Sequence, residues 1–265
     1  MLAAALSVLV FMLAVMLAGF AYQRAVANTG WVDVFWTYGT GAAGVAAALL
    51  PTTGQAIAPR QILVAALVAV WSLRLGTFVA LRVAASASED ARYQAFRERW
   101  GAAYQRNLFW LLMAQPPVSA LLAPAIMLAA HAPGPLGLRD LLAALIMALA
   151  VGGESLADRQ LSAFKRGKHA KGAICERGLW GWSRHPNYFF EWLGWWAYPA
   201  IALDPAHPLS WASLAAPAAM FLVLRFGTGV PPLEASMLKS RGDAFRAYQA
   251  RVSAFIPLPP KGAAS

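Results

Sequence analysis

Long apolar runs alternate with short polar segments along the whole chain. Crossing a hydrocarbon layer of about 30 Å takes about 20 residues of helix, and seven runs approach or exceed that length. They cover approximately residues 2–22, 31–50, 62–83, 108–130, 138–156, 188–203 and 209–226. The sixth run is short, so we expect it to be tilted or partly buried in protein. The pattern predicts an all-α, polytopic integral membrane protein with seven transmembrane helices, forming a single membrane domain over residues 1–265 with a tail over 227–265.

The composition supports a membrane protein and argues against a soluble one. Apolar residues make up 59% of the 265 positions, and charged residues make up 13%, against roughly 25% in an ordinary soluble domain. A soluble chain of this length could not enclose so much apolar surface. Several of the 11 Trp fall near the ends of apolar runs, as interfacial aromatics do. The first run lacks a basic segment before it, so we interpret it as a transmembrane helix and not as a signal peptide.

The basic residues predict the orientation. Of the 22 lysines and arginines, four lie in 85–106, seven in 159–184 and six in 225–261. With seven spans, all three segments fall on one side, which the positive-inside rule makes cytoplasmic. The N-terminus is then outside and the C-terminus is inside. We therefore assign the net charge of +10 to contact with anionic lipid headgroups and not to nucleic acid.

Three further features carry little functional weight. Residues 39–44 have the spacing Gly-x-Gly-x-x-Gly of a dinucleotide fingerprint, but no βαβ unit surrounds them, so they predict close helix packing. A single cysteine, Cys175, excludes a disulfide framework. The histidines are divided between the two predicted sides, so we expect no metal site; they are His131, His169, His185 and His207.

The segment 154–198 is richest in candidate chemistry. Glu154 and Asp158 are four residues apart and so share a helix face. A basic, Gly-containing loop over 165–172 follows, and then a polar segment leads into the sixth apolar run, where Pro186 suits a first helical turn. Asn187 and Glu191 are one turn apart and can face one cavity. Two other interpretations stay open, a helix cap for Asn187 and an ion pair of Glu191 with Arg184 or Arg225. The surrounding lysines and arginines favour a phosphorylated cofactor, because they pair with phosphate oxygens.

Several motifs resemble those of the steroid 5-alpha-reductase family. Arg177-Gly178-Leu179-Trp180 precedes Arg184-His185-Pro186-Asn187-Tyr188, and the ending has Glu234, Lys239-Ser240-Arg241-Gly242, Tyr248 and Phe255-Ile256-Pro257. The likeness is strongest over about 154–258 and weaker at Trp31-Val32-Asp33-Val34-Phe35-Trp36. The chain is most similar to bacterial members of the domain-of-unknown-function type. This resemblance implies a bacterial inner-membrane location.

The resemblance also implies an activity and a cofactor. Family members are seven-helix proteins that use NADPH to reduce a carbon–carbon double bond conjugated to a ketone, as in 3-oxo-Δ4 steroids. Lys165 stands where the family has a phosphate-binding Arg, and a point charge replaces a bidentate donor there. The implied substrate is a steroid-like or isoprenoid lipid. The residues implied to bind the cofactor, on the cytoplasmic side, are Asp158, Lys165, Arg177, Asn187, Tyr188, Glu191 and Arg225.

On the substrate side the chain departs from the family. The family holds the ketone with an acid in helix two and a Tyr in helix three, but helix three of this chain has no Tyr. The acid is then Asp33, and we predict Tyr38 as its partner with Arg74 as an alternative donor to the developing enolate. Asp33 also fits a structural role near a helix start, where an acid meets the helix dipole favourably. Arg74 lies within an apolar run and shares a helix face with Phe78 and Arg82.

Two other functions stay open at this point. Membrane methyltransferases that act on isoprenylcysteine or phospholipid head groups share the Arg-His-Pro-x-Tyr segment and a similar ending. In that interpretation Glu234, Tyr248 and Arg251 belong to a site for S-adenosylmethionine. A transporter would show internal repeats and broken helices at the midplane, and the sequence shows no repeat.

Overall fold

The computed structural model describes residues 2–51, 56–86, 89–167 and 172–262. Over these residues the chain is helical, without a strand, and one isolated bridge joins Ser183 to Ser253. The all-α prediction is therefore confirmed. Short 3-10 helices occupy Gly101–Ala103, Gly178–Gly181 and Pro208–Leu214. The α-helices are α1 Leu2–Val26, α2 Trp31–Leu49, α3 Pro59–Ala85, α4 Ala91–Trp100, α5 Tyr104–Met113, α6 Gln115–Ala130, α7 Leu138–Arg166, α8 Pro186–Gly194, α9 Ala197–Ala202, α10 Ala215–Phe226, α11 Val230–Arg241 and α12 Asp243–Arg251.

Among the described residues, five helical stretches are long and apolar enough to cross a membrane. They match the first, third, fourth, fifth and seventh predicted runs, and they comprise Leu2–Val26, Pro59–Ala85, Arg92–Ala130, Leu138–Arg166 and Pro208–Arg241. The second run forms α2 as predicted, but its glycines and threonines lower its apolar character. The total of seven spans and the orientation stay predictions.

The helices differ from the predicted runs at three places. The fourth run is divided between α5 and α6 at Ala114, just before two consecutive prolines. Helix α7 continues to Arg166, about ten residues beyond the predicted end, so Lys165 lies on a helix and not in a loop. The sixth run is not one helix, because α8 ends at Gly194 and α9 begins at Ala197. Pro199 accounts for this break, since its ring clashes with the carbonyl four residues earlier.

The chain divides into two compact units. The first comprises the described residues of 1–145 and 196–219, and the second comprises those of 146–195 and 220–265. The single membrane domain over 1–265 stays a prediction.

In the first unit, small residues allow α2 to approach its neighbours closely. A Cβ added to Gly39 would lie 2.7 Å from Val15 of α1, and one added to Gly41 would lie 2.0 Å from the Ser72 hydroxyl of α3. A Cβ on Gly44 would lie 2.9 Å from Val68. The Gly-x-Gly-x-x-Gly spacing therefore serves helix packing, as predicted.

In the second unit, α8 packs against α7 at another glycine. Phe190 fills the space beside Gly153, where an added Cβ would lie 2.4 Å from its ring. This contact fixes the position of α8 against α7 within the second unit. At the other end of the chain, α12 is anchored by Phe245 and Tyr248, both about 1% exposed or less.

Candidate functional site

The polar centre of the second unit is Glu234 of α11. Its carboxylate accepts hydrogen bonds from Arg184 Nε at 2.7 Å, Arg184 Nη2 at 3.2 Å and Gln249 Nε2 at 2.7 Å. His185 Nε2 lies 3.1 Å from the same carboxylate. Arg184 also donates to the carbonyls of Gln249 and Val252. The Arg184–His185 segment is therefore fixed to the C-terminal helices by a largely buried ion-pair network.

The surroundings of His185 in this network disfavour its charged form. Its side chain is 5% exposed, and this burial lowers its pKa, since removal from water disfavours the imidazolium. The hydrogen bond that Nε2 donates to Glu234 raises the pKa of His185, but this effect does not outweigh burial. The contact with Glu234 requires the tautomer that carries its proton on Nε2. The ring also stacks on Tyr188, with centroids 5.7 Å apart and planes 10° apart.

Further bonds bind the C-terminal segment to residues 176–183. The Tyr248 hydroxyl donates to the Trp180 carbonyl at 2.5 Å, and burial raises the pKa of this phenol. Ser183 donates to the Phe255 carbonyl at 2.8 Å. Arg251 pairs with Glu176 at 2.8 Å. Glu234, Tyr248 and Arg251 therefore all make contacts that stabilise the fold. The methyltransferase interpretation assigned the same three residues to a ligand site.

Helix α8 carries three of the predicted cofactor residues, Asn187, Tyr188 and Glu191. It begins at Pro186, as predicted, and His185 occupies the N-cap position, so the interpretation of Asn187 as a helix cap is wrong. Asn187 is half-buried within the first turn. Glu191 is 5% exposed and accepts a hydrogen bond from Trp195 Nε1 at 3.1 Å. The Arg184 partner considered for Glu191 is bound to Glu234 instead.

Helix α7 carries buried acids and an exposed cation on one face. Glu154 and Asp158 are each 5% exposed, whereas Lys165 is exposed in the last turn. The indole of Trp180 donates to the Ala157 carbonyl at 2.9 Å, which places the 3-10 helix Gly178–Gly181 next to Asp158. The second unit therefore contains both buried carboxylates and basic side chains.

The remaining predicted cofactor residues differ in their exposure. Arg177 is exposed, and Arg225 is half-buried with its guanidinium 5.0 Å from the Phe226 ring centroid. The positive charge of Arg225 also contributes to lowering the His185 pKa. Lys168, His169 and Lys171, which belong to the predicted basic loop, lie outside the described residues.

In the first unit, Asp33 is bound by two residues of α4. The Tyr93 hydroxyl donates to Asp33 Oδ1 at 2.8 Å, and Arg92 Nη2 donates to Oδ2 at 2.6 Å. Tyr93 is 4% exposed, while the Asp33 side chain is 24% exposed. Asp33 lies in the first turn of α2, so the favourable position at a helix start is also confirmed.

Asp90 fixes Arg92 from the other side. Its carboxylate accepts from the Arg92 backbone N–H and from Arg92 Nε, both at 3.0 Å, so it caps α4. Burial alone would raise the pKa of Asp90, but the charge and hydrogen bonds of Arg92 outweigh it and lower this pKa to about 2. The result is a charged chain from Asp90 through Arg92 to Asp33.

The structure does not join Asp33 to Tyr38. Their side chains are five residues apart, about 140° around the helix, and the Tyr38 hydroxyl lies 2.9 Å from that of Thr77. Arg74 does share a face with Phe78 and Arg82, as predicted, because both guanidinium groups lie over that ring, at 5.4 and 5.9 Å. The catalytic roles of Tyr38 and Arg74 stay predictions.

Tyr93 was not among the predicted site residues, because the resemblance implies a tyrosine within helix three. A pattern that runs from α4 into α5 could have indicated it. Tyr93, Phe96, Trp100 and Tyr104 follow a helical spacing, which marks one face as buried. Ring contacts between successive members of this series confirm that face. A buried tyrosine hydroxyl needs a partner, and Asp33 supplies it.

The part of the chain that the structure describes is all-α and has five helical stretches able to cross a membrane, which defines a polytopic integral membrane protein. The chain belongs to the family described as "Protein of unknown function (DUF1295)", whose model matches residues 19–252. No curated protein and no solved structure matches it. Within the described residues, no group of three or more His, Cys, Asp or Glu could hold a metal ion, and a metal-free site stays a prediction.

Proposed function

We propose that this protein is an NADPH-dependent membrane reductase that transfers hydride to the carbon–carbon double bond of a conjugated enone in a steroid-like lipid. The observation that supports this most directly is the hydrogen bond between Tyr93 and Asp33. The resemblance to steroid 5-alpha-reductases implies an acid in helix two paired with a tyrosine. This chain has that pair, with the tyrosine supplied by α4 and not by α3.

The chemistry requires a donor at the ketone oxygen, where negative charge develops during hydride transfer. A bound NADPH would supply hydride for the β-carbon, and a proton from water would complete the reduction at the α-carbon. Tyr93 carries the O–H that would turn from Asp33 to the ketone oxygen. Arg92 lies 2.6 Å from Asp33 and offsets the negative charge of this carboxylate, so Asp33 opposes the developing enolate less. Asp33 serves to position Tyr93.

The second unit has suitable groups for the cofactor. Lys165, Arg177 and Arg225 offer positive charge for phosphate oxygens. The Asn187 amide and the Glu191 carboxylate offer complementary donors and acceptors for amide and hydroxyl groups. The hydrogen bond from Trp195 already fixes the Glu191 side chain, so cofactor binding would cost little side-chain entropy at this residue. We propose that this site faces the cytoplasm.

Cofactor binding by the detergent-purified chain tests the proposal. A ligand that binds only the native state raises its stability, by about 2.7 kcal/mol at 100 times Kd. We expect NADPH to raise the melting temperature, with S-adenosylmethionine having no effect. Turnover is then measured as NADPH oxidation with a 3-oxo-Δ4 steroid. Stabilisation by S-adenosylmethionine alone would favour the methyltransferase and refute the reductase.

A further inference from the structure

Helices α1 and α5 of the first unit meet in a short series of side-chain contacts. The Phe20 and Phe109 rings lie 5.4 Å apart, edge to face. One turn further along α1, Gln23 Nε2 donates to Gln105 Oε1 at 2.9 Å. The pairing runs antiparallel, so the end of α1 lies beside the beginning of α5.

Exposed cationic and aromatic groups surround this series. Arg24 directly follows Gln23, and Arg106 directly follows Gln105, and both are exposed. The Arg24 guanidinium lies 5.9 Å from the Phe20 ring centroid. Phe109 contacts Trp110 at 5.2 Å, and Trp110 is 65% exposed. We call Arg24, Arg106 and Trp110 the α1–α5 surface.

The acids nearby are already paired with other arginines. Asp33 and Asp90 bind Arg92, Asp90 also binds Arg82, and Glu89 binds Arg97 at 3.2 Å. Neither arginine of the α1–α5 surface takes part in an ion pair within the described part of the chain. This surface therefore keeps two positive charges beside an exposed indole.

We propose that the α1–α5 surface binds the headgroup of an anionic phospholipid. Both arginines lie on the predicted cytoplasmic side, where lipid headgroups carry negative charge. Trp110 suits the boundary between headgroups and acyl chains, where its ring stays apolar and its N–H meets polar groups. The exposed indole favours a lipid over free phosphate as the ligand, because it can contact the glycerol and upper acyl region of a lipid. This proposal does not depend on the reductase activity.

Lipid titration of the full-length chain in neutral detergent tests the proposal. The probes are phosphatidylglycerol, phosphatidylcholine and inorganic phosphate, and the signal is the melting temperature together with lipid-bound mass peaks. One arginine near an anionic headgroup contributes about fivefold in affinity, so Arg24→Gln with Arg106→Gln should weaken phosphatidylglycerol binding roughly 20- to 30-fold. Arg246→Gln is the matched control, because Arg246 is exposed on the same predicted side but is paired with Asp243. It should leave binding unchanged.

The wild-type chain provides a second measurement if the double variant does not fold. Its affinity for phosphatidylglycerol should fall as NaCl rises, since salt screens exposed charges. Equal binding of phosphatidylglycerol and phosphatidylcholine would overturn the proposal, as would full affinity in the double variant. A response to inorganic phosphate equal to that of phosphatidylglycerol would show a phosphate site and not a lipid site.

Discussion

The hydroxyl of Tyr93 lies 2.8 Å from Oδ1 of Asp33, although the two residues are separated by sixty positions in the chain. Helix α4 brings them together, because Asp90 caps its first turn and Arg92 bonds the second oxygen of Asp33. This relationship assigns the proposed ketone donor to α4.

We expect Tyr93→Phe to reduce turnover by roughly 100- to 1,000-fold, because the substitution removes one donor to the developing enolate. NADPH affinity should change by less than about twofold, since Tyr93 belongs to the substrate side. The measurement is steady-state enone reduction together with NADPH titration. Tyr104→Phe is the control, because Tyr104 is equally buried in the same core and its hydroxyl bonds Thr29 at 2.8 Å. An equal loss of turnover in this control would mean that the Tyr93 effect is structural.

Asn187→Ala and Glu191→Ala should each weaken NADPH binding by about two- to tenfold, the cost of a lost hydrogen bond. The change should be read as Kd, by thermal-shift titration or fluorescence. Ser240→Ala is the control, because its exposed hydroxyl donates to backbone carbonyls of its own helix and accepts only from the neighbouring Arg241. Unchanged Kd values in both variants would remove α8 from the proposed cofactor site.

Glu234→Gln should destabilise the protein by about 3 kcal/mol or more. The substitution leaves Arg184, with a side chain only 10% exposed, as a largely buried charge without its carboxylate. Melting temperature in detergent reports the effect. Asp243→Asn is the matched control, because it breaks an ion pair with Arg246 at 2.6 Å that is exposed to solvent. A surface pair of this kind contributes about 0–1 kcal/mol, so a similar loss in both variants would contradict the buried network.

His185 predicts a dependence of stability on pH. Burial lowers its pKa below the ordinary value of 6.5, so the unfolded chain binds this proton more readily than the folded one. The contribution of neutral His185 to the stability of the folded protein is fully present above pH 6.5. It is lost as the pH falls from 6.5 towards the lowered pKa. We expect the melting temperature to decline below pH 6.5 and this part of the decline to be absent in His185→Gln. An unaltered decline in that variant would assign the dependence to other groups.

Gly41→Ala should destabilise the protein by about 1–3 kcal/mol, because the added methyl group would lie 2.0 Å from the Ser72 hydroxyl. That hydroxyl also donates to the Thr37 carbonyl, so it cannot turn away without losing its bond. Gly152→Ala provides the contrast. Its added Cβ has no atom within 4 Å, so the substitution should be neutral or stabilising through helix propensity. Equal melting temperatures of the two variants would argue against close packing of α2 on α3.

Local patterns predicted the helices better than their ends. The apolar run at 138–156 indicated α7, but its polar continuation to Arg166 gave no hydrophobic signal. Pro199 was visible in the sequence, yet its effect on the sixth run depends on whether neighbouring groups satisfy the freed carbonyls. By contrast, the position of Pro186 in a first helical turn was predicted correctly, because this preference is intrinsic to proline.

In the candidate site, too, single residues could be selected from the sequence, but their partners could not. Glu191 and Asp158 were selected from the sequence as polar groups near or within apolar helices, and the structure buries both. The pairing of Arg184 with Glu234, fifty residues away, was not foreseen, and Glu191 was considered as its partner instead. Nothing in the local spacing distinguishes these two acids, since either could reach a nearby guanidinium.

The sequence by itself determined that this is an all-α membrane protein, because hydropathy and helical period are properties of consecutive residues. It also indicated which polar residues lie within apolar surroundings. Only the tertiary structure decided that Tyr93 is the partner of Asp33 and that Tyr38 is not. Hydrogen bonds and ion pairs between distant residues depend on which helix faces meet, and that follows from packing at contacts such as Gly41 on Ser72 rather than from order along the chain.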